Sequence, residues 1–299
     1  MKKAFTMIEL ILTMVILSIV AYIATGLIAK TYIGYNQVNT LHKANIKVEI
    51  ALNSIAKRLS YAIGGTIVKR KSATDDSIEP IDRAPDDYEV LEWIGYDVDS
   101  FEGHDKNGTM PSQKLGWSGF CNIIKSNKKK IVTPGSDLNF TDVTISNLSG
   151  GAIIDLNKTA IFFPNNYNYR NIGYSKTTGG TSGVAIVDNF NNSDLENPFF
   201  ILKSDIYHVT EHYKLAWSAY AVVPTNCGTN GCDLVLRYNY RPWDGEQYNG
   251  NVRSGILATN VTVFKTFATQ NRVHIKICVK ENLNIGKTTS ICKEKVVFK

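Results

Sequence analysis

Two short stretches of this sequence carry residue types that could do chemistry. The first is HVTEH, His208 to His212, in the H-x-x-E-H order of one class of metallopeptidase. That chemistry needs both imidazoles on one helix face, one turn apart, with the carboxylate beside the metal. The surrounding DIYHVTEHYKLAWSAYAVV reads instead as a strand running into a hairpin. On a strand the two imidazoles stand about 13 Å apart, too far to share an ion, so surface histidines are the expectation. The second stretch is YDVDSFEGHDKNG, where Asp97, Asp99, Glu102, Asp105 and Asn107 offer hard oxygen ligands close together in sequence. Its spacing fails the EF-hand register, because Phe101 falls at the third ligand position. Asp97, Asp99, Glu102 and Asp105 therefore stand as calcium candidates beside the plainer reading of a solvated acidic loop. No GxSxG, phosphate loop or dinucleotide fingerprint occurs, so no catalytic residue is expected, and no cofactor other than that calcium.

The five cysteines suggest covalent chemistry of another kind. Cys227 and Cys232 bracket GTNG between the strand-like runs AWSAYAVV and DLVLRYNY, and Cys278 and Cys292 flank the turn-rich NLNIGK. Each pair would face itself across a hairpin, where cross-strand Cβ atoms lie about 4.5 to 5.5 Å apart, within reach of a disulfide. Bridges there would require an oxidising compartment. Cys121 is left over, and the alternative is that all five are buried thiols. The spacing does not suit zinc.

The N-terminus, MKKAFTMIELILTMVILSIVAYIATGLIAK, is an apolar run long enough to cross a bilayer, with Glu9 its only charged residue from Phe5 to Ala29. Lys2 and Lys3 would hold its start in the cytoplasm. A secretory signal peptide has a shorter apolar core, and a plain anchor leaves Glu9 unexplained. An acid at bilayer depth costs about 2.5 to 3.5 kcal/mol on insertion scales, which argues for a partner.

The stretch KKAFTMIEL resembles the leader and cleavage site of type IV prepilins and type II secretion pseudopilins: a basic leader, a small residue, then Phe-Thr-x-x-Glu and a long apolar helix. The resemblance implies cleavage between Ala4 and Phe5 by a prepilin peptidase, N-methylation of Phe5, and an assembly role for Glu9 as the fifth mature residue. Glu9 would then pair with the new cationic amine of a neighbouring subunit, a buried ion pair in low dielectric. The family usually has Gly where this chain has Ala4. The resemblance covers about the first 30 residues strongly. The ending NGNVRSGILATNVTVFKTFATQNRVHIKICVKEN also looks like the closing strands of J-type and PilW-like minor subunits, whereas Glu9 sets the chain apart from K-type subunits, which lack that acid.

The elements that must carry these groups follow from periodicity. From Leu41 the apolar positions Leu41, Val48, Leu52, Ile55, Leu59 and Ala62 mark one helix face, with Lys43, Lys47, Glu49, Lys57 and Arg58 elsewhere and Gly64-Gly65 as a stop. With no proline between Phe5 and Ala62, one helix of about 85 to 90 Å is expected. Beyond it, short β-branched and aromatic runs such as YEVLEWIGY, KTAIFF, FFILK, DLVLRYNY, NVTVFKTF and RVHIKICVK alternate with Gly, Asn, Asp and Pro, the pattern of an antiparallel sheet domain. The expected fold is α+β: leader 1–4, transmembrane or filament-core helix 5–29, amphipathic continuation 30–65, and a β-rich periplasmic domain 66–299, which is large enough for its own core. The formal charge of +6 is spread apart from Lys69 to Lys71 and Lys128 to Lys130, read as solvated surface, so a nucleic-acid partner has a weak electrostatic basis. DKNGT at Asn107 and DLNKT at Asn157 resemble bacterial N-glycosylation acceptor sites.

The sequence thus leads to a minor pseudopilin of a type II secretion system, single-pass in the bacterial inner membrane with its C-terminal domain in the periplasm, that initiates or caps a filament. Its expected partners are other pseudopilins or pilins met through the N-terminal helix, the prepilin peptidase and methyltransferase, and an inner-membrane assembly platform. A minor pilin of a type IV or DNA-uptake pilus is the alternative within the class. Outside it stands a membrane-anchored periplasmic binding protein or enzyme.

Overall fold

In a computed structural model, residues 6–72, 77–102, 115–150, 154–175, 181–194, 196–283 and 287–298 are described. Helix α1 (Met7–Ser60) runs unbroken for 54 residues, about 80 Å at 1.5 Å per residue. No proline interrupts it, and the hydroxyls of Thr13, Ser18, Thr25 and Thr31 donate to carbonyls one turn back, at 2.8 to 2.9 Å. Polar side chains satisfied within the helix suit a hydrocarbon environment, where water cannot serve them.

The second half of α1 packs on the domain through Ala44, Val48, Ala51, Leu52, Ile55 and Leu59. The apolar face expected from Leu41 to Ala62 is present, but Leu41 and Ala62 are only half-buried, and alanines share the stripe because they let the sheet approach closely. Burying Val48, Leu52, Ile55 and Leu59 contributes about 2 kcal/mol each. The helix ends at Ser60, before the glycines. Ile63 N–H donates to Ile94 O at 2.8 Å and Ala62 bridges Gly95, so pairing with a strand draws the chain out of the helix.

That strand belongs to an eight-stranded antiparallel sheet. Its members in chain order are β1 (Val68–Arg70), β2 (Ile78–Pro80), β3 (Val90–Gly95), β9 (Ser218–Gly228), β10 (Gly231–Tyr240), β11 (Arg253–Thr269), β12 (Arg272–Leu283) and β13 (Lys287–Phe298). Their spatial order is β13-β12-β11-β10-β9-β3-β1-β2. Helix α1 lies against β11, β12 and β13, tied by Lys47 to Glu281 at 2.8 Å and by Lys293 to Glu49 at 2.6 Å. A second sheet joins β4 (Lys130–Val132), β5 (Ala160–Phe162), β6 (Ala185–Asn191), β7 (Phe199–Leu202) and β8 (Lys214–Ala216) in the order β4-β7-β6-β5-β8.

Helix α2 (Leu138–Leu148) packs on this second sheet through Leu138, Thr141 and Ile145, with the Asp137 carboxylate accepting from Phe140 N–H as its N-cap. The expected β-rich domain thus includes one helix that the strand-like runs of the sequence do not mark. The i, i+3, i+7 burial and the acidic cap are the signals that mark this helix.

The chain passes from the second sheet to the first at Trp217, between β8 and β9. What reads as one long strand in the sequence is therefore two strands in different sheets. At the seam, Arg70 and Glu92, each 1% exposed in the side chain, pair at 2.6 Å. Arg70 Nη2 donates to Tyr174 O at 2.6 Å, and Tyr240 OH donates to Glu92 Oε1 at 2.9 Å. The run Lys69 to Lys71 is thus not the solvated surface expected: Lys69 and Arg70 are buried and only Lys71 is exposed. Strand β1 lies between β2 and β3, and its two successive side chains leave opposite faces: Arg70 is enclosed with Glu92 and Tyr174, while Lys69 Nζ donates to Pro85 O at 3.3 Å.

Candidate functional site: the N-terminal segment and its anchor helix

Glu9 lies in the first turn of α1, where the unpaired N–H groups of the helix favour a negative charge. Thr6 Oγ1 donates to Glu9 Oε2 at 3.5 Å, which turns the carboxylate toward the helix start. Ala4 and Phe5 lie outside the described residues. Behind Glu9, α1 presents a bare apolar cylinder: Met7, Ile8, Ile11, Val15, Ile19 and Ile23 are all exposed, and the most apolar stretch has nothing buried against the rest of the molecule. The helix is long and apolar enough to cross a membrane. A surface of this kind in water is a large unpartnered patch, so it must be covered by lipid or by other helices.

Residues 1–25 match the family model of the prokaryotic N-terminal methylation motif. This is a prepilin-type N-terminus. The prepilin-type motif supports membrane anchoring, and it implies processing by a prepilin peptidase and assembly with other pilins. No curated protein and no solved structure matches the chain.

The other candidate groups fall elsewhere. Cys227 is bonded to Cys232 and Cys278 to Cys292, each pair with its Cα atoms 4.0 Å apart, and Cys121 is a buried thiol. The two residues of each pair sit on antiparallel neighbours, β9 with β10 and β12 with β13, with Cys278 directly opposite Cys292. Burial pushes the Cys121 thiol up from its ordinary value, against a hydrogen bond with Ser126.

Of the acidic stretch, Asp97, Asp99 and Glu102 are among the described residues, and they do not converge as metal ligands. Asp97 is buried and faces inward, accepting from Ser100 N–H at 3.3 Å, from the Ser100 hydroxyl, and from Trp117 Nε1 at 3.1 Å. Burial pushes its carboxyl up to about 6, opposed by the Ser100 hydrogen bonds. Asp99 and Glu102 are exposed, and Asp105 with Asn107 lies outside the described residues. Among the described residues no three His, Cys, Asp or Glu gather closely enough to hold a metal ion.

HVTEH forms neither helix nor strand. His208, Glu211 and His212 are exposed on an irregular segment, and His212 bridges Phe120 just before β8 begins at Lys214. The strand expected through these histidines does not form because the pairing that defines β8 starts at Lys214, opposite Phe162. At the DLNKT sequon, Asn157 is exposed on a 3-10 turn, but Thr159 is buried and its hydroxyl donates to Leu156 O at 2.7 Å. An enzyme acting on the folded chain would find that hydroxyl out of reach.

Proposed function

We propose that the chain is a minor pseudopilin of a type II secretion system, cleaved between Ala4 and Phe5, methylated at Phe5 and assembled through α1 into a periplasmic filament that it initiates or caps. The observation that carries this reading is the bare apolar first half of α1, headed by Glu9 within a prepilin-type motif. Removal of the leader creates a cationic amine at Phe5, four residues before Glu9 in the sequence. In a bundle of such helices the Glu9 carboxylate of one subunit neutralises the amine of the next. In low dielectric, losing one member of such a pair strands the other at about 3 to 5 kcal/mol. The domain then rides on the second half of α1, fixed by the buried stripe from Ala44 to Leu59 and by the ion pairs of Lys47 and Lys293. No bond is made or broken by the chain; its work is the free energy of assembly.

The test is Glu9→Gln in the native host, followed by N-terminal peptide analysis and filament pull-down. The variant is expected to remain membrane-inserted and to be cleaved to a chain starting at Phe5, while its incorporation into filaments falls by about a hundredfold or more, the equivalent of roughly 3 kcal/mol. Undiminished incorporation would remove the basis of the assembly mechanism. A wild-type chain that keeps Met1 in the presence of the peptidase would make α1 a plain anchor and favour a tethered periplasmic domain.

A further inference from the structure

Where α1 ends against the first sheet, the molecule holds a cavity of about 440 Å³. Its size falls within the range of small-molecule sites. Lys57, Arg58 and Tyr61 line it from the end of α1, Asp99 and Glu102 from the segment after β3, and Tyr220 from β9.

Two features set this cavity apart from ordinary surface. The first is charge of both signs left uncompensated. Lys57, Arg58, Asp99 and Glu102 are exposed, and among the described residues none of them enters an ion pair. Arg58 donates only from Nη1, to Ser54 O at 3.2 Å. Opposite charges that line one cavity without neutralising each other leave a field across it, which favours a ligand carrying both signs. The second feature is a set of phenols without partners. Among the described residues the hydroxyls of Tyr61, Tyr96 and Tyr220 make no hydrogen bond. Tyr220 feels both signs of charge: burial pushes its phenol up to about 12, Arg58 draws it down, and Asp99 and Asp97 push it up. Its ring is fixed by packing, stacked on Trp93 at 5.7 Å and lying over Gly95, where an added Cβ would stand 2.9 Å from Tyr220 Cε2. A hydroxyl held in place by its ring and left without a partner is ready to bond a ligand.

The lining also narrows the occupant. A sugar would need open ring faces, but Trp93 covers one face of Tyr220, Lys214 Nζ sits over the Tyr96 ring at 4.6 Å, and Trp217 is 8% exposed. The cationic and anionic side chains are too far apart to pair, so a ligand that satisfies both must carry its own charges apart, as a short peptide does and a single amino acid does not. We infer that this cavity binds a short peptide by its two charged ends, the carboxylate against Lys57 and Arg58 and the ammonium against Asp99 and Glu102, with the Tyr220 hydroxyl donating to the carboxylate. The cavity belongs to the domain and the end of α1, so a filament subunit and a tethered periplasmic protein would both possess it.

Calorimetric titration of the full chain in detergent micelles tests this, with glycylglycine, the same dipeptide blocked by N-acetyl and C-terminal amide groups, and glucose as probes. Glycylglycine is expected to bind saturably with a Kd of about 1 mM or tighter, in keeping with so small a ligand. The blocked peptide, which lacks both charges, is expected to bind at least about tenfold more weakly. Arg58→Gln and Asp99→Asn are each expected to weaken glycylglycine binding by about tenfold, the low end for a charged hydrogen bond because both side chains are exposed. Tyr220→Phe is expected to weaken it by about fivefold with Tm unchanged, since the hydroxyl it removes bonds nothing among the described residues. Absence of saturable glycylglycine binding, equal binding of the blocked peptide, or tighter binding of glucose would overturn the assignment. Undiminished affinity in the three variants would overturn it as well.

Discussion

Arg70→Met takes the cation out of the seam between the two sheets and leaves the Glu92 carboxylate buried without its countercharge. Both side chains are 1% exposed and 2.6 Å apart, so solvent cannot compensate. Burial alone would press the guanidinium pKa down; the charge and hydrogen bond of Glu92 overcome this, and the net direction is upward. Breaking a buried pair in this way costs about 3 to 5 kcal/mol. The hydrogen bond from Tyr240 to Glu92 survives and favours the lower end, while loss of the Arg70 bond to Tyr174 O works the other way. For a domain of this size about 1 kcal/mol shifts Tm by 2 to 4 °C, which predicts a fall of roughly 6 to 20 °C. The assay is thermal unfolding of the full chain in detergent micelles, followed by near-ultraviolet circular dichroism. Buried Trp93 and Trp243 report on the domain, whereas the 54-residue α1 would weigh heavily in a far-ultraviolet signal. The control is Arg70→Met with Glu92→Leu, which strands no charge and is expected to be less destabilised than Arg70→Met alone. A single variant within about 1 kcal/mol of wild type, or a double variant equal to the sum of two costly singles, would refute the claim that a coupled buried pair holds the seam.

Further outcomes follow from the same geometry. The Asp97 carboxyl is raised to about 6 by burial, above its ordinary value of 3.8, so its contribution to stability is fully present below about pH 4 and is lost as the pH rises through 6. Asp97→Asn is expected to remove about 3 kcal/mol of that pH dependence, read as flatter Tm values between pH 4 and 7; an unchanged pH slope would show that Asp97 is not the titrating group. Paired Cys278→Ser and Cys292→Ser, which open a loop of sequence separation 14, are expected to cost about 3 kcal/mol, against about 2 for Cys227→Ser with Cys232→Ser at separation 5. The reverse order in denaturant midpoints would contradict the loop argument. Gly173 has φ +90° and its added Cβ would clash with Pro242 O, so Gly173→Ala is expected to lower Tm by several degrees, and a neutral result would mean this turn yields freely.

The membrane half of α1, the place of Glu9 in its first turn and the buried face from Val48 to Leu59 are all legible in the sequence. Each depends on local spacing: apolar length against bilayer thickness, a 3-4 repeat, and a fixed place within a prepilin-type motif. The two cysteine pairs are legible for the same reason, since a short loop between strand-like runs brings its ends together whatever surrounds it. The seam was not legible. Lys69-Arg70-Lys71 reads as solvent-facing charge, and only the packing of Glu92, Tyr174 and Tyr240, supplied from farther along the chain, shows that Arg70 is interior. The division of one apparent strand at Trp217, and the position of β13 as the open edge beside α1, also required the assembled sheets. Periodicity reports that a segment has one face to bury. Which segment meets it, and which edge is left over, is settled by contacts between residues a hundred or more positions apart, and their energies exist only once the chain is packed.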